Sequence, residues 1–401
     1  MLRSKKQKSI MLYKLAYTGL VLLVYILGRC IPLYGIDTSP NRIRYASAGE
    51  MWIQTIGGDA YRSSVFTLGV FPYMISGLIV QIFIACRNLI SDTKISPGKV
   101  RRASVTVTLI IAVLQAFSQV KQLKFRVTGD MLPAAGVIVV IEMITGVMLI
   151  MWLSDRNAKY GFGGRMLFAL VNILDRIMAT VSGHTIQSLA IPLALAAMMM
   201  VITLVMENAE KRIPVQRISI HNIYADKNYM AVKLNPVGVM PVMFSTMLFM
   251  LPQLLVSLLR ILFPENAGIM WWQDNMSMSK PSGIAVYIVC EYLLTFGLTL
   301  MMISPKDVTE QFLKSGDSIV DIHAGRDTRR YLRSVVCRIS FFSATVMGVC
   351  MGVPLVMQIE GNIDSTLVML PSSVMILTSF WCGFFREYRT ISNYDACRAL
   401  F

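Results

Sequence analysis

The chain has 401 residues, of which 55% are hydrophobic and 15% charged, with a mean hydropathy of +0.59. Soluble domains are roughly 45–50% apolar and about 25% charged, so both departures exclude an ordinary water-soluble globule and point to lipid as the solvent. Lys+Arg outnumber Asp+Glu by 38 to 23, a net charge of +15; because the cations cluster between apolar runs, they read as orientation-setting loop charges and not as a nucleic-acid surface.

Spanning the hydrocarbon takes about 20 mostly apolar residues in a helix that satisfies its own backbone. In chain order, a basic start (Arg3, Lys5, Lys6, Lys8) leads into an apolar run at 15–33 with no small-residue cleavage site, which reads as an uncleaved first span. The segment 35–64 is long and Gly-containing, with an apolar patch around residues 51–56 that could re-enter a channel mouth. Further spans are expected at 66–85, 103–117, 131–153, 188–206, 237–259, 284–303, 335–356 and 367–385. A tenth, at 165–180, is interrupted by Asp175 and Arg176; the reading is a short helix with that pair toward its outer end.

With the N-terminus inside, 28 of the 38 basic residues fall in inner segments, so ten spans put both termini in the cytoplasm. Two inner loops, 207–234 and 304–333, are long and basic. Helix connections in bundles usually run about 2–8 residues, so both loops read as docking surfaces. Alternating residues on either side of a polar turn at 226–228 suggest a projecting β-hairpin over 217–233. Five plus five helices permit an inverted repeat. The seven cysteines form no CxxC pair and the three histidines have no ligand-like spacing, so neither a disulfide framework nor a metal or cofactor site is implied.

The residues carry a resemblance to a known family. Residues 29–37 are similar to the end of the first helix of SecY, the channel subunit of the bacterial protein translocase. Residues 63–76 resemble its half-helix 2b, and 146–155 with 160–164 the corner between its fourth and fifth helices. Residues 210–216 and 234–244 look like the flanks of its 6/7 loop, and 313–319 with 328–332 like its 8/9 loop. The strings occur in the family's order and on the expected sides of the membrane. The resemblance implies an all-α, ten-helix channel in two inverted halves, 1–183 and 184–401, in the bacterial plasma membrane. It implies no enzymatic role. Its partners would be a SecE-type small membrane subunit, a SecA-type motor ATPase, a SecG-like third subunit, unfolded preprotein and lipid.

Motif by motif, the resemblance places an apolar pore ring on Val70, Met74, Met166, Leu170, Met243 and Ile376. An apolar constriction gates by dewetting, and methionine adapts its shape to what passes. A plug is expected over residues 50–61, including Met51, Trp52, Ile53, Ile56, Gly57 and Gly58. Gln81 is a buried-polar candidate on a lateral gate, with a plain helix–helix hydrogen bond as its other reading. Arg217, Lys227, His323, Arg326, Arg329, Arg330 and Arg333 would dock the motor. Departures from the pattern suggest a divergent second copy, like the accessory SecY proteins that export a restricted set of cell-surface glycoproteins. At 319–325 the family's loop arginine is replaced by His323, and at 96–102 an acidic string is lost. Two alternatives stay open: a secondary transporter using Glu142, Asp175–Arg176 or Glu291, and a non-conducting insertase or scaffold.

Overall fold

The computed structural model describes residues 2–36, 64–90, 96–120, 131–217, 228–262, 266–361 and 366–392, with positions 123, 125, 126, 363 and 364 in the turns between them. Ten long helices follow one another where the apolar runs lie. They are α1 (Leu2–Arg29), α2 (Phe71–Ile90), α3 (Pro97–Val120), α4 (Leu132–Tyr160), α5 (Leu167–Ser182), α6 (Ile186–Asn208), α7 (Met240–Leu262), α9 (Pro281–Met302), α11 (Arg326–Ile359) and α12 (Met369–Ser392). Two short helices join them, α8 (Ala267–Asn275) and α10 (Pro305–Ser315). Proline opens or nearly opens α3, α4, α9 and α10, because its missing N–H would be unbonded in a first turn anyway.

Most helices overrun the apolar run that announces them. The 34-residue α11 starts nine residues before its run, and α1 carries the basic N-terminal segment as helix. Leaving the bilayer does not oblige a helix to stop. The tenth span is short, as expected: α5 has 16 residues. Its exposed Asp175 puts Oδ2 2.6 Å from a guanidinium nitrogen of the buried Arg29 at the end of α1, so the charge is matched by another helix of the protein.

Without a hydrophobic drive between helices in lipid, association depends on close packing at small residues. Gly146 of α4 lies against the backbone of residue 65, where an added Cβ would sit 2.1 Å from the Val65 carbonyl oxygen. One large core then runs through all ten of the long helices. Within it Tyr25 stacks on Phe66 and donates its hydroxyl to Asn172 Oδ1 at 2.9 Å. Among the long helices, α12 packs chiefly on α6, and α9 on α11 and α7.

The two inner loops form one three-stranded sheet. Its central strand β1 (Glu210–Arg217) pairs antiparallel with β2 (Tyr229–Lys233) on one side and β3 (Asp317–Ile319) on the other. The first hairpin strand thus precedes the position expected from alternation alone; residues 218–227 lie outside the described residues. The reason is tertiary. Ile213 and Val215 share one face of β1 and are buried; Ile213, Val232 and Ile319 pack on Leu332, Val335 and Ile339 of α11.

Candidate functional site

A cavity of about 610 Å³ opens between the first half of α2, the start of α7, the later part of α12 and the corner joining α4 to α5. Among its lining residues are four of the six expected ring positions, from four separate elements: Met74 of α2, Met166 of the corner, Met243 of α7 and Ile376 of α12. Met74, Met243 and Ile376 are buried and belong to the main core, and Met166 packs against it.

Each of these positions is prepared locally. Met166 ends a 3-10 turn, Gly164–Met166, entered through Gly163 and Gly164 at φ 74° and 57°, the left-handed region that favours glycine. Asn157 braces that turn: its buried amide donates to the carbonyls of Phe162 and Gly164 at 2.9 and 2.8 Å. Thr18 Oγ1 of α1 accepts from the Phe162 N–H at 2.7 Å. Met243 stands in the first turn of α7, after a bend at Gly238, φ 68°. Asn235 in that bend donates to the Gly238 carbonyl at 3.0 Å and accepts from Ser343 of α11 at 3.3 Å. The floor of the cavity is thereby held by backbone-directed hydrogen bonds in both halves of the sequence.

The remaining candidates are distributed as follows. Val70, in the turn just ahead of α2, is fully buried in the core and is not on the cavity wall. Leu170 is half-buried on α5, one turn beyond Met166, and is also off the wall. Residues 50–61, hence Met51, Trp52, Ile53, Ile56, Gly57 and Gly58, lie outside the described residues, as does Lys227. Gln81 is exposed, which corrects the expectation of a buried polar group: it borders the cavity, where its amide needs no helix partner. His323 is exposed in the turn before α11, and its carbonyl accepts from Thr328 Oγ1 at 2.9 Å. Arg326, Arg329, Arg330 and Arg333 are exposed on the first two turns of α11, and Arg217 ends β1. Cations at a helix N-terminus oppose its dipole, so helix stability does not account for this cluster.

The rim of the cavity carries charged side chains that the sequence reading passed over. Glu207, in the last turn of α6, is buried at 3% exposure, accepts from Ser379 Oγ at 2.6 Å and pairs with Arg386, both on α12. The next residue, Glu387, accepts from the Gly163 N–H at 3.3 Å and lies 3.9 Å from Lys14 Nζ of α1. A signal was available: an acid closing an apolar helix, at the negative end of its dipole, needs a cation nearby.

This architecture is that of a polytopic membrane channel. The SecY family profile matches residues 64–382, and the chain belongs to the SecY family. Over 403 residues it is 27% identical to the accessory Sec system protein translocase subunit SecY2 of Streptococcus sanguinis, covering 98% of both chains. It is 28% identical over 392 residues to the protein of that name from Staphylococcus aureus, covering 95% of this chain and 94% of the other. A solved structure described as that of a protein-conducting channel superposes with a TM-score of 0.68 at 18% identity, over 95% of this chain and 93% of that one.

Proposed function

We infer that the chain is the channel subunit of an accessory Sec translocase, passing unfolded preproteins across the bacterial plasma membrane with both termini in the cytoplasm. The observation that carries this reading is the convergence of Met74, Met166, Met243 and Ile376, from four separate elements, on one cavity with a polar rim. Such a collar excludes water when closed and yields to a threaded chain, because thioethers repack at little cost. Val70 and Leu170 would join it as α2 and α5 move. Residues 50–61 would plug it from outside, and the gap beside Gln81 would release apolar segments sideways. The halves 1–183 and 184–401 would part to open it.

Energy would come from a SecA-type ATPase on the sheet and the arginine face of α11. A SecE-type subunit would brace the halves, with room for a SecG-like third subunit. Relatives of near-equal length named as accessory translocase subunits support the restricted role. The transporter reading has less support, since its candidates do not converge: Glu142 of α4 accepts from the Tyr34 N–H at 3.0 Å, Asp175 of α5 holds Arg29, and Glu291 is buried on α9. The test is export of a preprotein into vesicles carrying this chain, a small clamp subunit and its motor. Uptake into the lumen that stops when bulky groups are attached at Met243→Cys supports the reading; uptake indifferent to them refutes it.

A further inference from the structure

We propose that Glu207, Arg386 and Glu387 form a clasp that holds the inner mouth shut and is released by force on the three-stranded sheet; the second clause rests on the motor-docking reading. Arg386 and Glu387 are neighbours on α12 and reach in two directions. Arg386 goes to Glu207 at the end of α6. Glu387 goes to the α4–α5 corner through the Gly163 N–H and towards Lys14 of α1. One turn of α12 therefore ties the second half of the chain to itself and to the first half, at the cavity rim and beside the turn that carries Met166.

The sheet is wired to the same point. Glu207 is three residues from the start of β1, and the Ala209 carbonyl between them accepts from the Leu234 N–H at 2.9 Å, just past β2. The chain leaving β2 bends at Gly238 into α7, and a Cβ at Gly238 would lie 2.9 Å from Glu207 Oε1. Two of the three strands thus run into the clasp within a few residues. A buried carboxylate that stays ionised needs a paired charge and hydrogen bonds, so the charged Glu207 has two stable conditions: matched by Arg386 and Ser379, or moved out to water. That makes the clasp bistable and not a graded spring. The second carboxylate, Glu387, is partly exposed, so its contacts to the first half are the weaker link and part first.

The experiment has two arms in planar bilayers and vesicles containing the full translocase. In the first, resting ion conductance is read without motor for Glu207→Gln, Arg386→Gln and the double variant. Each single change is expected to raise the open fraction about tenfold, equivalent to about 1.4 kcal/mol, and the double variant no further. Unchanged conductance with normally assembled protein, or effects that simply add, overturns the clasp. In the second, Glu207→Cys and Ser379→Cys are joined by a short bis-methanethiosulfonate cross-linker, which forms a reducible disulfide at each end with release of methanesulfinate, in a background whose native cysteines are replaced by alanine. The bridged channel is expected to export nothing until reduced; export at the unbridged rate overturns the release step. Motor binding to the unbridged vesicles is measured in parallel. Its absence sinks the docking reading, while the conductance arm still judges the clasp.

Discussion

Asn157→Ala removes the brace under the corner that carries Met166. Thr18 Oγ1 keeps its other partners, donating to the Lys14 carbonyl at 2.9 Å and accepting from the Phe162 N–H. The change therefore orphans the carbonyls of Phe162 and Gly164, both held at under 3 Å, the first buried and the second partly so. A buried group left unsatisfied costs about 1–3 kcal/mol, so the two together give a loss of about 2–6 kcal/mol. Asn157→Asp keeps the shape but turns a carboxylate oxygen towards the two carbonyls, and buries a charge with them. It is expected to be worse than alanine. Thr18→Val should cost about half as much as Asn157→Ala, since it orphans one buried N–H. The assay is the unfolding midpoint of the purified chain in a mild detergent titrated with a denaturing one. Resting conductance is read alongside, which should rise as Met166 loses its seat. An Asn157→Ala protein within about 0.5 kcal/mol of the parent, or more stable than the aspartate variant by nothing measurable, would refute the reasoning.

Ile376→Asn, which wets one quarter of the collar, should raise resting bilayer conductance several-fold with little change in assembly. His323→Arg restores a fixed cation with bidentate donors; motor binding should tighten and its salt dependence steepen, which an affinity titration at two ionic strengths will show. Glu291 is fully buried on α9, and neither carboxylate oxygen has a hydrogen-bond partner among the described residues. Replacing an unpaired buried acid by an apolar side chain of similar length is stabilising, so Glu291→Met should gain about 1 kcal/mol or more in the same detergent titration. Gly238→Ala forces a Cβ into left-handed backbone at a cost of about 1–2 kcal/mol. It also presses on Glu207, so conductance and stability should shift together.

Much of the fold was legible because lipid leaves so few ways to satisfy a backbone. Each apolar run marked a helix, and even the weak tenth run did so, with Asp175 matched by Arg29. Helix ends were less legible. Hydropathy reports the bilayer boundary, whereas α11 continues through Arg326–Arg338 into water. The sheet was half-read: alternation pointed to strands near residues 217–233, but only contact with α11 selects β1, and nothing local announces that three residues at 317–319 join it. Apolar identity at the six ring positions followed from the motifs. Which of them reach the cavity depended on where α2 and α5 begin, a matter of one turn that separates Met74 from Val70. Glu207 and Arg386 went unread because they are 179 residues apart.

The sheet also constrains the order in which the molecule can be built. β1 leaves one edge open until β3 arrives about a hundred residues later, after two more spanning helices have been threaded into the bilayer. With both termini in the cytoplasm, as proposed above, that unpaired edge would face the cytosol during synthesis, a template for association with other chains. A ribosome stalled after α9 should therefore carry a nascent chain prone to aggregate or to recruit chaperones, while release past Ile319 closes the edge and ends the exposure.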